Sequence, residues 1–162
     1  MEKIIKLTKE TFSPDNFTFV DLGLPSGRQW ASENAPGHYD FDEACEVFGE
    51  LLPKGSAMAE LSEECRVEWN PTKKGLDITG PNGNSIFLPA AGYASTRNSE
   101  PRYVGSEGDY WTRMTYVPKS ESYAPLSQTF ARRLLFYSGD VYPLDDYFRR
   151  SYGFSVRPCR EF

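Results

Sequence analysis

Histidine occurs once in this chain and cysteine three times, and no apolar run approaches the ~20 residues of a membrane-spanning helix. Each scarcity excludes a class of chemistry. His38 lies in a loop between short apolar segments, where a lone histidine reads as a solvated side chain. A Cys–His enzyme would need it beside Cys45, Cys65 or Cys159. Those three are widely spaced, which matches neither a zinc ligand set nor a disulfide framework, so they read as buried free thiols. Excess positive charge is also missing: the net charge is −5, which removes a global electrostatic case for nucleic acid. Met1–Lys6 has neither the apolar core nor the cleavage site of a signal peptide. That predicts a cytoplasmic chain, one released by another route, or a trimmed piece of a longer one.

What the chain does contain is turn formers and aromatics. Twelve Pro and thirteen Gly are spread over 162 residues, and 15% of residues are aromatic. The length suits one domain with a real core, and the turn formers argue against a helical bundle. Charge is unevenly spread. Residues 1–96 hold 8 Lys and Arg against 15 Asp and Glu; residues 97–162 hold 10 against 8, and nine of those ten are Arg. The second part also carries most of the Tyr. Arg and Tyr are enriched at binding interfaces because each offers a large contact area with a polar end.

Residues 1–16 are polar and mixed, an arm or an edge strand, and residues 17–162 read as a single domain. Phe17–Gly23 has strand character, ended by Gly23 and Pro25, and Arg28–Ala31 is a second short strand with Trp30 as a core anchor. Asp40–Leu52 is the clearest helix. Asp40 serves as N-cap with Glu43 three residues on, Phe41, Ala44 or Cys45, Phe48 and Leu51 or Leu52 form the apolar stripe, and Pro53 stops it. Ser56–Cys65 is a second helix, with Met58, Leu61 and Cys65 on one face. Arg66–Trp69 is strand-like. Leu76–Gly80 and Ser85–Pro89 flank Pro81-Asn82-Gly83-Asn84, a strong hairpin signal. Polar loops are expected at 94–107 and 116–128, and strands at 109–112 and 130–136, before a turn at 138–140. Two early helices followed by many short strands predict an α+β fold with a mostly antiparallel sheet.

The stretch Tyr142–Cys159 divides in two. Gly153–Arg157 alternates apolar and polar like a buried edge strand. Leu144–Tyr152 has no period: it mixes Asp, Arg, Tyr, Phe and Leu. Trp30, Phe87, Trp111, Phe130, Phe136 and Phe154 sit at alternating strand positions and are assigned to the core. Tyr142, Tyr147, Phe148 and Tyr152 lie in the aperiodic part and admit two readings, partial burial against a sheet or a contact surface in which Tyr gives area at low entropic cost.

Four segments, in order, resemble the Fibrobacter succinogenes major paralogous domain family. They are Val20-Asp21-Leu22-Gly23-Leu24-Pro25-Ser26-Gly27 with Trp30-Ala31, Gly80–Tyr93, Tyr110-Trp111-Thr112, and Gly153-Phe154-Ser155-Val156-Arg157-Pro158. The resemblance implies a C-type-lectin-like fold in which two helices flank short antiparallel strands, the first and last strands pair (here 17–22 with 153–157), and C-terminal loops form the binding face. It extends to the variable proteins of diversity-generating retroelements, where adenines in the codons of a C-terminal segment are randomised. An Asn codon ending in C or T cannot become Trp, Gln, Met, Lys or Glu by such changes, and none of these occurs in 144–152. Thr112 and Arg113 stand where the family has Ser-Ser. Departures fall in the second helix, where Leu52-Pro53-Lys54-Gly55 replaces a Leu-Pro-Thr and Met58 or Leu61 an aromatic, and at Cys159, where the family is apolar.

Enzymatic and metal chemistry find little support. Calcium-dependent lectins need Glu-Pro-Asn or Gln-Pro-Asp, and Glu100-Pro101-Arg102 places a cation where an oxygen ligand belongs. Formylglycine-generating enzymes share the broad fold but need a reactive cysteine pair. Asp145-Asp146 reads as solvated, or paired with Arg149 and Arg150. The expectation is a non-enzymatic binding protein without metal or cofactor. Thr112, Arg113, Met114, Leu144, Asp145, Asp146, Tyr147, Phe148, Arg150 and Tyr152 would contact a protein or other macromolecular ligand. The alternative is an invariant structural or surface module of the same family.

Overall fold

The computed structural model describes residues 6–96, 99–115, 129–138 and 144–161, with residues 144–146 described by backbone alone. Among the described residues, two α-helices and three small antiparallel sheets make a mixed α/β structure. The expected loop at 116–128, Tyr142 and most of the turn at 138–140 lie outside the described residues.

The first sheet is formed by β1 (Phe19–Asp21), β2 (Gln29–Ala31) and β9 (Cys159–Arg160), with β2 in the middle. The second is a meander of β3 (Arg66–Asn70), β4 (Gly75–Thr79) and β5 (Ser85–Pro89). Its last turn is the predicted Pro81–Asn84, with Gly83 at φ +89°, a conformation that favours glycine. Asn82 and Asn84 each donate a side-chain hydrogen bond to the Asp21 carbonyl, at 2.8 and 2.9 Å, which fastens the hairpin to β1. The third sheet orders β6 (Glu107–Thr115), β7 (Phe130–Tyr137) and β8 (Leu144–Arg149).

Helix α1 (Phe41–Phe48) starts as its sequence dictates. Asp40 accepts from the Glu43 amide at 2.8 Å, and the Asp40 amide donates back to Glu43 Oε1 at 3.0 Å. It ends earlier than the predicted Leu52 because Gly49 takes φ +51° and the chain continues as a 3-10 turn, Gly49–Leu51. Helix α2 (Gly55–Glu64) buries Ala57, Met58 and Leu61, and Cys65 sits just past its end.

Two apolar cores lie on opposite sides of the third sheet. Tyr110, Leu134 and Phe136 face one core, with Trp30, Met58, Leu61, Ile78 and Leu88. Trp111 and Ala131 face the other, with Tyr39, Phe41, Phe48 and Phe154. Side chains alternate across a strand, so a sheet covered on both sides needs apolar residues at successive positions. That is why Tyr110-Trp111 and Leu134-Leu135-Phe136 run unbroken. Gly108 sits opposite Phe136, and a Cβ there would lie 2.1 Å from the ring. Of the aromatics assigned to the core, Trp30, Trp111, Phe136 and Phe154 are buried, but Phe87 and Phe130 are only half-buried. Phe87 instead covers Gly75 on the outer side of its hairpin, under Lys73.

The terminal strands do not pair as expected. Residues 17–22 find their partner in β2, across the tight turn at Pro25–Ser26 (Val20 opposite Trp30), and the C-terminus pairs with the other edge of β2, Trp30 opposite Cys159. A short antiparallel turn makes β2 the nearest partner of β1 and leaves the far edge of β2 for the chain end. Nor is Gly153–Arg157 an edge strand with one wet side: Gly153 to Cys159 are all buried, bridged to Tyr39, Ala94 and Tyr110. Leu144–Arg149, aperiodic in sequence, is strand β8, last in its sheet among the described residues, and the chain turns at 150–152.

Arg157, 1% exposed, lies where these parts meet. Its guanidinium donates to Asn34 Oδ1 at 2.7 Å, to the Ala31 carbonyl at 3.0 Å and to the Phe87 carbonyl. Replacing Arg157 by Leu strands these buried acceptors, so denaturant unfolding should show a loss of roughly 3 kcal/mol, with Arg157→Lys intermediate. A loss under about 1 kcal/mol for the Leu variant would remove this role.

Candidate functional site

Strand β6 changes character along its length. Asp109 to Thr112 are buried, whereas Arg113 is half-buried and Met114 exposed. The register to β7 shifts between Trp111 and Thr115, an irregularity of the kind that re-aims side chains near a sheet rim. On β7, Arg132 donates to Met114 Sδ at 3.2 Å and its guanidinium lies 5.9 Å from the centre of the Tyr147 ring on β8. Arg132 is therefore the bridge between the two segments singled out from sequence. Met114 and Arg132 rest against the start of α2, near the Gly55 backbone.

Arg113 leaves this ridge. Its amide donates to the Pro53 carbonyl at 2.8 Å, and its guanidinium approaches Glu161 at 4.0 Å. Glu161 also receives Arg28 at 2.6 Å and Lys54 at 3.0 Å. The hydrogen bonds from Arg28 and Lys54 hold its carboxyl below the usual carboxylate range. Thr112 does not belong to the surface. It is 1% exposed and its hydroxyl donates to the Arg132 carbonyl at 3.0 Å. The cause is the covering of β6 on both faces up to that residue.

On β8 and the following turn, Phe148 and Tyr152 pack against the second core, half-buried. Their rings meet edge-on at 4.8 Å. Arg150 lies 4.8 Å over the Phe41 ring and pairs with Asp42. Arg149 and Ser151 are exposed. The side chains of Leu144, Asp145 and Asp146 are outside the description. The predicted set thus separates: Met114 and Tyr147 come together across Arg132, Arg113 joins the Glu161 cluster, and Thr112, Phe148 and Tyr152 serve the scaffold in whole or part.

Beneath Phe148 lies a charged pair. Arg133 reaches Asp109 at 2.6 Å, with Asp109 fully buried and the guanidinium 4.1 Å from the Phe148 ring centre and 5.4 Å from that of Phe154. Burial first, and then Glu107, push the Asp109 carboxyl well up, against the pull of Arg133. Sealed from solvent, this acid ties β6 to β7 through Arg133.

Sequence reasoning missed Arg132 and a run of tyrosines. Tyr103 is 58% exposed and its ring lies tilted at 5.7 Å from that of Tyr93, which meets Tyr152 at 5.6 Å. Tyr103 has φ +61°, rare for a bulky residue, and its carbonyl accepts from the amides of Ser106 and Glu107. The signal was available: Tyr103-Val104 is an apolar pair inside an otherwise polar loop. His38 also departs from its sequence reading. It is half-buried, with Nε2 2.9 Å from the Ala91 carbonyl. Burial lowers its pKa, opposed by backbone hydrogen bonding to Ala91 and Gly92.

Among the described residues no three His, Cys, Asp or Glu side chains converge as metal ligands. A cleft of about 200 Å³ lies between α2 and the third sheet, lined by Met58, Ala59, Ser62, Glu63, Thr112 and Leu134 among others. Comparison with family models, with curated proteins and with solved structures gave no significant match.

Two outcomes follow from this geometry. Phe148→Ala should cost about 2 kcal/mol in unfolding, while Arg149→Ala next to it stays within about 0.5 kcal/mol; equal losses would deny the inward–outward division of β8. For His38, a folded pKa below the unfolded value near 6.5 means the unfolded chain binds more protons as pH falls below that value. Stability then drops between about pH 6.5 and the folded pKa. His38→Gln should lose less melting temperature than wild type between about pH 7.5 and pH 5. An identical loss would clear His38.

Proposed function

We propose that this chain is a non-enzymatic binding protein of C-type-lectin-like fold, similar to the variable proteins of diversity-generating retroelements. It presents a C-terminal surface to a protein or other macromolecular ligand. The family reading rests on the four ordered motifs; two helices with small antiparallel sheets agree with it at the level of fold class. The observation that carries the functional reading is the Met114–Arg132–Tyr147 ridge. Two segments far apart in sequence, selected for their resemblance to variable positions, meet across one Arg on a partly exposed rim. Tyr and Arg supply contact area and directional hydrogen bonds there. Met114 would be constant on this reading, since Met is not reachable from an Asn codon by adenine change alone.

The alternative, an invariant surface module, draws on Phe148 and Tyr152, which are tied to the second core and ill suited to unrestricted variation. Sequencing the gene's neighbourhood separates the two. The proposed function expects a near-repeat of the 3′ coding sequence that differs from it mainly at adenines, with differences in the codons of Arg113, Tyr147 and Arg149. A locus without such a repeat assigns the chain to the invariant module.

A further inference from the structure

Among the described residues, two other than glycine hold a left-handed backbone, Lys74 and Tyr103, each at φ +61°. Crowding at Cβ disfavours that conformation for both. Where a fold enforces it, the strained residue is a candidate for function. The two lie in neighbouring turns. The Ala90 amide donates to the Lys74 carbonyl at 3.0 Å and the Gly105 amide to the Ala90 carbonyl at 2.7 Å, so one residue holds both turns. A Cβ on Gly105 would stand 3.2 Å from Lys74 Cδ, which places the Lys74 side chain across the second turn. Arg102 and Tyr93 exchange backbone hydrogen bonds at 2.8 and 3.1 Å, and the amides of Ser106 and Glu107 both donate to the Tyr103 carbonyl at 3.0 Å. These bonds fix the second turn with its tip outward. Tyr103 and Val104 are the most exposed large apolar side chains of the described residues, at 58% and 64%.

Positive charge surrounds that tip. Residues 71–75 and 101–106 hold Lys73, Lys74 and Arg102 and no acid, in a chain whose net charge is −5. All three cations are exposed, and among the described residues no carboxylate pairs with them. The acids flanking the second turn are Glu100, exposed, and Glu107, half-buried and engaged with Asp109. We propose that these two turns dock on an anionic lipid surface, with Val104 and the Tyr103 ring entering the interface and Lys73, Lys74 and Arg102 meeting the headgroups. A stable protein contact needs about 800 Å² on each side and an anchor seated in a pocket. Two apolar side chains at the tip of a turn give neither. A bilayer moulds to a projecting tip, takes an amphipathic ring at headgroup level, and attracts each cation without a fixed geometry. The acidic remainder of the chain is repelled by such a surface, so contact is limited to this tip and binding is weak and reversible. The proposal does not rest on the retroelement reading.

The test is co-sedimentation of the full chain with vesicles over a lipid concentration series, using phosphatidylcholine alone and phosphatidylcholine with about 30% phosphatidylserine. The chain should bind the anionic vesicles, less so as salt is raised, and leave the neutral ones in solution. Lys73→Gln, Lys74→Asn and Arg102→Gln should each lower the partition coefficient by about fivefold, Asn being chosen at Lys74 because it tolerates a left-handed backbone. Val104→Asp should abolish binding. Lys9→Gln removes an exposed cation outside the two turns and should change the partition by less than about twofold. Melting temperatures compared with wild type confirm that the variants are folded. A chain that ignores both kinds of vesicle, its tip left to solvent or a protein partner, overturns the proposal. So does equal binding to both, or a loss at Lys9→Gln as large as at the three cations of the turns.

Discussion

The guanidinium of Arg157 is the point on which the separate sheets depend. A charge with 1% exposure is costly unless its donors are occupied, and no carboxylate among the described residues forms an ion pair with it. Its acceptors are instead neutral oxygens from three parts of the chain: the end of β2, the loop after it, and β5. Desolvation lowers its pKa, with Tyr110 and Glu33 opposing. The same Asn34 that accepts from Arg157 donates to the Tyr110 hydroxyl at 2.9 Å, and that hydroxyl donates to the Pro89 carbonyl at 2.7 Å. One polar network thus links the first, second and third sheets through a region otherwise apolar. A satisfied buried network of this kind specifies one arrangement among many that would bury similar area.

From that node the third sheet extends outward with both faces covered until β6 reaches Arg113 and Met114. A second buried cation, Arg133, supports it farther out, held to Asp109 and flanked by Phe148 and Phe154. The two arginines do different things. Arg157 joins two backbone carbonyls and the Asn34 side chain, whereas Arg133 fills the space beneath β8 with a flat, cationic plate against two aromatic rings. The rim strand rests on that plate, which is why Phe148 belongs to the scaffold although its neighbours do not.

Much of this was legible in the chain. The Asp40–Glu43 capping pair, the turn at Pro81–Asn84 and both helix faces follow from local chemistry, and local chemistry is what a sequence states directly. Pairing between distant segments is not local. The motif Gly153–Pro158 announced a strand, but which neighbours it would touch depended on the tight turn after β1 and on small residues such as Ala94 admitting its backbone. Leu144–Arg149 hid its strand character because its charged residues break the apolar alternation of a strand, and among its described side chains Phe148 is the one that joins a core. Arg132 was hidden for another reason: it stands in an apolar-looking strand, and its role comes from the register that places it between Met114 and Tyr147. Thr112 failed as a surface residue because proximity in sequence to Arg113 says nothing of how far along β6 the covering of both faces extends.

The division along β8 bears on what kind of variation the rim tolerates. Phe148, Arg150 and Tyr152 contact the second core or α1, while Arg149 and Ser151 are exposed and Tyr147 lies against Arg132 on the ridge. A strand passes its side chains to opposite faces in turn, so constraint returns at every second residue. A recognition surface built on this strand cannot vary as a block. Change at Tyr147 or Arg149 alters what the rim presents, whereas change at Phe148 removes the ring that covers Arg133 and exposes a buried ion pair to water. The backbone register to β7 is what keeps these two roles apart, since a slip of one residue would exchange them. The stability of the β7–β8 pairing, more than the identity of any outward side chain, is therefore the condition for this surface to present one shape.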